Sequence, residues 1–459
     1  MVAGSPEAFD PELNKSARRF LRRLTAATGG GMFIDGFFYA TFAAALAGRA
    51  KAELHIDTLW LGLISSAVLI GTFFGGILLG WLTDKIGRKP MFTIDLIIFL
   101  VCAVALFFVT EPWMFFALGV IIGLSVGADY SIGSPLLGEF TPAAMRGNFL
   151  GVLEILWNVG YVIAYFIGYM ITTYSPESWR YILLSSAVPA IVSLIIRHGL
   201  PESPRWLVSK GRRDEAIAIL KESMGVENLG AIDNEPESST RVSVLFSRAY
   251  IRRTLFSGGF WSAIVLPYFA ATFFLPEILR SIGLGAGSLI GALLGTIIAL
   301  VGATVSWYLV DRVGRRILLI PPMFACGVFL LIASLYQHMP MVIAAICVFA
   351  YLFSYGIMSI LTGIIPEEVF PSSVRATGVG VSTAMSRAAA AIGTFGLPLV
   401  TTYAGGTSTV LIILGVVSLG GGFLSYAWCP ETKGKDLTET SHQVDPHSYG
   451  RGQKVGAAA

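Results

Sequence analysis

Four ionisable residues stand in stretches that otherwise hold almost only apolar side chains. Asp35 lies in Gly30-Gly31-Met32-Phe33-Ile34-Asp35-Gly36-Phe37, near the middle of the first apolar run. Asp129 lies in Gly127-Ala128-Asp129-Tyr130 of the fourth run, Glu154 in the fifth, and Arg387 at the middle of the eleventh. A charged side chain at the centre of a bilayer costs about 2.5–3.5 kcal/mol even on insertion scales, so each of these needs a partner or a task. A carboxyl held in low dielectric favours its neutral form. It can therefore take a proton on one side of a membrane and release it on the other. Asp35 is the first candidate for that role, with Asp129 and Glu154 as further proton-coupling residues; the plainer alternative for Asp129 is a fixed partner of Arg146 or of backbone groups. Arg387 stays charged at any physiological pH. Its partner is one of these acids, in which case it braces the two halves, or a carboxylate or phosphate on a solute. Asp95, near the start of the third run, reads as interfacial.

The fifth run carries the best candidate binding face. Glu154, Asn158, Tyr161 and Tyr165 fall at i, i+4, i+7 and i+11, one stripe of a helix, with Trp157 beside it. Tyr351, Tyr355, Met358 and Thr362 repeat that spacing in the tenth run, and the seventh offers Trp261, Tyr268, Phe273 and Phe274. A purely aromatic stripe is ordinary packing, but Glu and Asn among tyrosines need polar partners inside a membrane. Trp157, Asn158, Tyr161, Tyr268 and Tyr355, together with Arg387, are the expected substrate-binding set.

The elements that must hold these residues follow from composition. Hydrophobic residues make up 54% of the 459 and charged residues 13%, about half the charged share of a soluble domain, and the mean hydropathy is +0.71. A spanning helix needs about 20 apolar residues. Twelve such runs can be drawn, near 24–48, 58–81, 90–109, 113–137, 149–174 and 180–200, then 254–280, 285–310, 317–337, 340–365, 377–402 and 407–428. The expected organisation is an N-terminal segment 1–23, a six-helix bundle 24–200, a polar linker 201–253 with a short helix over Asp214–Met224, a second six-helix bundle 254–428 and a tail 429–459. Residues 225–240 and the last 25 residues read as flexible. The first 23 residues hold Lys15, Arg18, Arg19, Arg22 and Arg23 and do not read as a cleaved signal peptide. The four cysteines are scattered and read as small core hydrophobes. The basic residues lie in loops rather than on one patch, which speaks against nucleic acid. The chain has no Gly-x-x-x-x-Gly-Lys-[Ser/Thr] loop that would suggest ATP hydrolysis.

The two bundles are copies. Asp84-Lys85-Ile86-Gly87-Arg88-Lys89 recurs as Asp311-Arg312-Val313-Gly314-Arg315-Arg316. Glu139-x-x-Pro142-x-x-x-Arg146 recurs as Glu368-x-x-Pro371-x-x-x-Arg375, and Pro201-Glu202-Ser203 as Pro430-Glu431-Thr432. Three motifs repeated in one order at nearly one offset mark an internal duplication. The intramembrane charges are not repeated: shifting by 229 places Ile264 opposite Asp35, Met358 opposite Asp129, Thr383 opposite Glu154 and Asn158 opposite Arg387. The asymmetry suggests a proton site in one half and a substrate anchor in the other. Glu139 and Arg146 are two helical turns apart and are expected to share a face, as are Glu368 and Arg375. Lys and Arg avoid one set of loops, where only Arg49, Lys51, Arg180 and Arg280 fall, so both termini are expected to be cytoplasmic.

The paired Asp-x-x-Gly-Arg-[Arg/Lys] turns resemble the signature of the major facilitator superfamily. Pro201-Glu202-Ser203-Pro204-Arg205-Trp206-Leu207 and Pro430-Glu431-Thr432-Lys433-Gly434 resemble the motifs closing each half of its sugar-porter-like branch. The resemblance runs from about residue 24 to residue 434. It implies an all-α integral membrane protein of twelve helices working by alternating access between its halves. It also implies an ion-pair girdle of Asp84, Arg88, Glu139, Arg146, Glu202, Arg205, Asp311, Arg315, Glu368 and Arg375 that closes the inner side and breaks as the halves rock. Glu154-x-x-Trp157-x-x-Gly160 and Ser386-Arg387 resemble niacin-transporter, synaptic-vesicle-glycoprotein and organic-ion carriers. Gly127-Ala128-Asp129-Tyr130 and Asp35-Gly36 resemble proton-coupled phosphate and aromatic-acid symporters, although Phe38 stands where the aromatic-acid pattern has a second Asp. Hexose porters carry a Gln-Gln pair in the seventh span, and Gly258–Leu279 has no Gln. The expected function is proton-coupled symport of a small polar or charged organic metabolite across the cell (inner) membrane by a monomer, with the proton as coupling ion and no other cofactor. The alternatives are a drug or organic-ion antiporter and an uncoupled facilitator of a sugar-like solute.

Overall fold

A computed structural model of the chain describes residues 15–141, 146–175, 177–225, 242–284, 288–370 and 374–432. Residues 226–240 of the expected flexible linker, the tail beyond Thr432 and most of the N-terminal segment lie outside them, as do the side chains of Arg146, Asp311 and Arg375. All regular structure among the described residues is helical.

The first half comprises α1 (Lys15–Ala47), the short α2 (Ala50–Glu53), α3 (Thr58–Ile86), α4 (Arg88–Ala105), α5 (Pro112–Phe140), α6 (Arg146–Tyr174) and a sixth span made of α7 (Trp179–Leu184) and α8 (Ala187–Arg197). After the surface helices α9 (Pro204–Ser209) and α10 (Arg213–Met224), the second half comprises α11 (Ile251–Phe273), the short α12 (Leu275–Leu279), α13 (Ser288–Val313), α14 (Arg315–Ala333), α15 (Met341–Val369), α16 (Arg375–Tyr403) and α17 (Gly406–Trp428). Eleven stretches are long and apolar enough to cross a membrane. The Arg387-bearing α16, 29 residues long, makes a twelfth helix of spanning length. The chain is a multi-pass membrane protein. Its outward-facing surface agrees: Ile77, Leu78, Trp81, Val101, Phe108, Ile195, Ile392 and Phe423 are all exposed, a surface that only lipid can cover comfortably.

The duplication is visible in the packing. Within the halves, α1 packs on α6 as α11 packs on α16, and α3 on α5 as α13 on α15; across the halves, α3 meets α16 and α13 meets α6. Each contact maps onto another when the halves are exchanged. Close approach depends on glycine: a Cβ on Gly36 of α1 would strike the carbonyl of Trp157, and one on Gly160 of α6 would strike that of Phe33. Small residues are what let membrane helices approach this closely.

Both basic turns have one construction. Gly87 (φ +114) and Gly314 (φ +104) carry a backbone that L side chains rarely adopt and so end one helix and start the next. The new helix in each case is capped by a carboxylate from the far end of the same half. Glu202 accepts the N–H groups of Arg88 at 3.0 Å and Lys89 at 3.1 Å, and Glu431 those of Arg315 at 3.1 Å and Arg316 at 3.2 Å. A carboxylate there satisfies orphan donors and meets the positive end of the helix dipole. Glu202→Gln is expected to cost about 1 kcal/mol of stability in thermal unfolding. A larger loss, with altered transport, would mean that Glu202 also ties down another element.

At the opposite end of the first half, Glu53 accepts from Trp179 Nε1 at 2.6 Å and Arg180 Nη1 at 2.5 Å. Those two hydrogen bonds, Trp179's first, hold its carboxyl below the usual range. Arg49 and Glu177 pair beside it at 2.6 Å.

One expectation about the turns does not hold. Glu139 lies in the last turn of α5 and Arg146 opens α6, so the two are on consecutive helices rather than on one helix face; Glu368 and Arg375 are divided in the same way between α15 and α16. The prolines are the cause. Thr141 (ψ 127) precedes Pro142 and Phe370 (ψ 134) precedes Pro371, both extended, because a residue before proline is pushed out of the helical region.

Candidate functional site

Two buried polar centres lie on the helices that line the middle of the bundle. The first is in the N-terminal half. Arg197, in the last turn of α8, is 4% exposed and turns inward among α1, α4 and α5. Its Nε donates to the Ala27 carbonyl at 3.2 Å and its Nη1 to the Phe92 carbonyl at 2.9 Å, and its guanidinium lies 3.5 Å from the Phe92 ring centroid. The same Nη1 reaches Asp95 at 3.2 Å, and Nη2 reaches Asp129 Oδ1 at 2.5 Å. Asp95 and Asp129 thus meet on one guanidinium. Gly31 makes room for the group, since a Cβ there would collide with Asp129 and Arg197.

Asp35 completes this centre. It is 2% exposed and its Oδ2 has no hydrogen-bond partner. With Asp95, Asp129, Gly31 and Ser125 it lines a cavity of about 10 Å³, space for about one water molecule. Asp35 and Asp129 are thus brought together, with Arg197 as the partner of Asp129. Asp95 corrects the sequence reading: it is 1% exposed and buried against α8, not interfacial. Neither Arg197 nor the depth of Asp95 is legible locally. A basic residue closing an apolar run, followed by His198, reads as an ordinary flanking charge.

The second centre joins the halves. Arg387 of α16 is 5% exposed, with its guanidinium 4.8 Å from the Tyr130 centroid of α5 and 5.8 Å from that of Phe269 of α11. Among the described residues no carboxylate lies within ion-pair distance of it, and its Nε has no hydrogen-bond partner. Around it the expected aromatic set converges. Tyr268 and Tyr355 stack at 3.6 Å with planes 6° apart, and Trp157 and Tyr161 face Tyr268 at 5.9 and 6.0 Å. Tyr39 of α1, which the sequence reading passed over, lies 4.8 Å from Phe269 and hydrogen-bonds Thr72 at 3.0 Å. Trp157 Nε1, Tyr161 Oη and Tyr351 Oη are buried without partners, whereas Tyr165 donates to the Thr272 carbonyl at 2.7 Å and so links α6 to α11. Asn158 gives its amide to the Glu154 carbonyl at 2.9 Å. Glu154 is half-buried and faces α15, its Oε1 3.8 Å from where a Cβ on Gly363 would be; it does not line the Asp35 cavity. Unpaired donors and stacked rings thus surround a buried cation.

The gating candidates sort into two matching sets. Arg88 bonds Glu139, which also accepts from Ser203 Oγ at 2.5 Å. Arg315 pairs with Glu368 at 2.9 Å, and Glu368 accepts from Thr432 at 2.5 Å. Glu202 caps α4 as described, and Arg205 is half-buried beside it. Asp84 is exposed and contributes its carbonyl to Trp206 Nε1 at 3.0 Å. Each of these pairs joins residues of one half.

Twelve spans among the described residues, arranged in two related halves with polar groups buried among them, define a membrane transporter of the major facilitator type. The chain matches the family described as Sugar (and other) transporter over residues 24–443. It belongs to that family. It is 35% identical over 424 residues to the inner membrane metabolite transport protein YgcS of Escherichia coli, covering 91% of this chain and 93% of that one. It is 27% identical over 387 residues to the niacin transporter NiaP of Acinetobacter baylyi, covering 82% and 86%. Its fold matches the partially occluded, inward-open xylose transporter XylE of E. coli with a TM-score of 0.78 at 20% identity, covering 91% of this chain and all of the other. The chain is a transport protein and not an enzyme.

Proposed function

We propose that the chain is a proton-coupled symporter of a small organic metabolite bearing a carboxylate or similar anionic group, with both termini cytoplasmic. The observation that carries this is a pair of buried ionisable groups on opposite halves that form no ion pair among the described residues: Asp35, with an unpartnered oxygen, and Arg387, with no carboxylate within ion-pair distance. A buried charge left without a partner is strongly unfavourable, so each needs an occupant for part of the cycle. A proton neutralises Asp35, and a substrate anion neutralises Arg387. Trp157, Tyr161, Tyr268 and Tyr355 supply the ring faces and spare donors that would position the rest of the solute. The niacin transporter among the relatives has a carboxylate substrate, which supports the same reading.

Arg387→Lys tests it. Lysine keeps the charge but loses the two-pronged geometry, so affinity should fall about 10- to 100-fold, the value of one charge-assisted hydrogen bond of about 1.5–3 kcal/mol. A thermal-shift screen of the purified protein against sugars, monocarboxylates, pyridine carboxylates, phosphate and organic cations supplies the ligand. Stabilisation of the wild type by cations alone would exclude the anion anchor.

A further inference from the structure

The Arg197 cluster holds more acid than one coupling proton requires. Three carboxyls, Asp35, Asp95 and Asp129, line one cavity of about 10 Å³, and one guanidinium, Arg197, faces them. With all three ionised the cluster would carry an excess of two negative charges in a region almost sealed from water. Low dielectric disfavours that state strongly. The surrounding elements relieve it only in part. Arg387 on α16, which lies over Tyr130 and Phe269, acts on Asp35 and on Glu154 of α6 without an ion pair to either among the described residues, and the phenols of Tyr39 on α1 and Tyr130 on α5 also face the region.

The geometry also distinguishes the acids. Arg197 holds Asp129 by one short contact of 2.5 Å, whereas Asp95 spreads its two oxygens at 3.3 and 3.2 Å from a single nitrogen that also serves the Phe92 carbonyl. Asp95 Oδ1 further accepts the Leu96 N–H at 2.7 Å. Asp129 is therefore the fixed counter-ion. Asp95 and Asp129 meet on the two terminal nitrogens of one guanidinium and line one small cavity, and two carboxyls gathered in this way favour a proton on one of them. Asp35, 2% exposed with Oδ2 unpartnered, faces the same cavity.

We propose that Asp95 is a second proton-binding carboxyl that shares its proton with Asp129 across Arg197, so that the cluster of α1, α4, α5 and α8 holds two protons rather than Asp35's one. Release breaks the O–H bond at Asp95, passes the proton to water admitted to the cavity and leaves two carboxylates on Arg197. This builds on the proton-coupled reading but is tested without any solute.

The test is infrared difference spectroscopy of the purified protein in lipid vesicles, titrated with pH in H₂O and D₂O, reading the C=O bands of protonated carboxyls. Asp35→Asn should remove one band and Asp95→Asn another, with Glu154→Gln identifying any band from Glu154. Asp129→Asn should remove the Asp95 band as well, because Asp95 then becomes Arg197's only counter-ion and ionises. Asp95→Glu should shift that band rather than delete it, which covers the case in which the Asn variant fails to fold. An Asp95→Asn or Asp95→Glu spectrum identical to wild type would overturn the proposal, as would retention of the Asp95 band in Asp129→Asn. Proton-driven uptake is a separate measurement. Loss of the Asp95 band in a protein whose transport ignores pH would remove the symport reading and leave the two-proton cluster standing.

Discussion

Asp35→Asn should abolish uphill transport while sparing substrate exchange. The substitution keeps the shape of the side chain and removes only its ability to bind and release a proton. Little stability should be lost, because Oδ2 makes no hydrogen bond to give up and the small cavity beside it has polar walls to receive an amide. A gradient of one pH unit supplies about 1.36 kcal/mol per proton, enough to accumulate solute about tenfold for each proton coupled. Without a working proton site the accumulation ratio should collapse to about one, whereas counterflow between equal solute pools continues. Vesicles preloaded with solute and given an imposed pH gradient measure both. Normal pH-driven accumulation by Asp35→Asn would end the assignment and move the coupling site elsewhere in the cluster.

Arg197→Met should be the most destabilising single change in the N-terminal half. Methionine replaces most of the packed stem, so the loss isolates the charge. Removing it leaves Asp129 and Asp95 buried without their counter-ion and takes one hydrogen bond from each of the Ala27 and Phe92 carbonyls. Breaking a buried pair from one side costs about 3–5 kcal/mol. Thermal unfolding in detergent or lipid should show that loss, with most of it recovered in Arg197→Met/Asp129→Asn, where Asp95 alone remains and is neutral when it holds a proton. A change below about 1 kcal/mol would show that water reaches the cluster freely. Failure of the double variant to recover would place the role of Arg197 in its backbone contacts instead.

Much of this protein is determined by local sequence. Spanning helices need only a run of apolar residues of the right length, so hydropathy marks them wherever they pack. The two Gly-centred turns are local too, because the backbone at Gly87 and Gly314 excludes other residues whatever surrounds it. The intramembrane charges Asp35, Asp129, Glu154 and Arg387 stand out against apolar neighbours, and the stripe of Glu154, Asn158, Tyr161 and Tyr165 follows from helical spacing. The tertiary structure decided which groups meet. Helical periodicity gives faces but neither the rotation of one helix against another nor the depth of a residue near a helix end. Asp95 and Arg197 were therefore indistinguishable from interfacial charges until α4 and α8 were placed around α1. The same holds for Glu202 and Glu431, whose carboxylates cap helices more than a hundred residues earlier in the chain. Spacing alone put Glu139 and Arg146 on one helix face, whereas Pro142 separates them. The chain's own pattern established that charges are buried; only the packing of the helices established that Arg197 has two carboxyl partners and that Arg387 has none within ion-pair distance among the described residues.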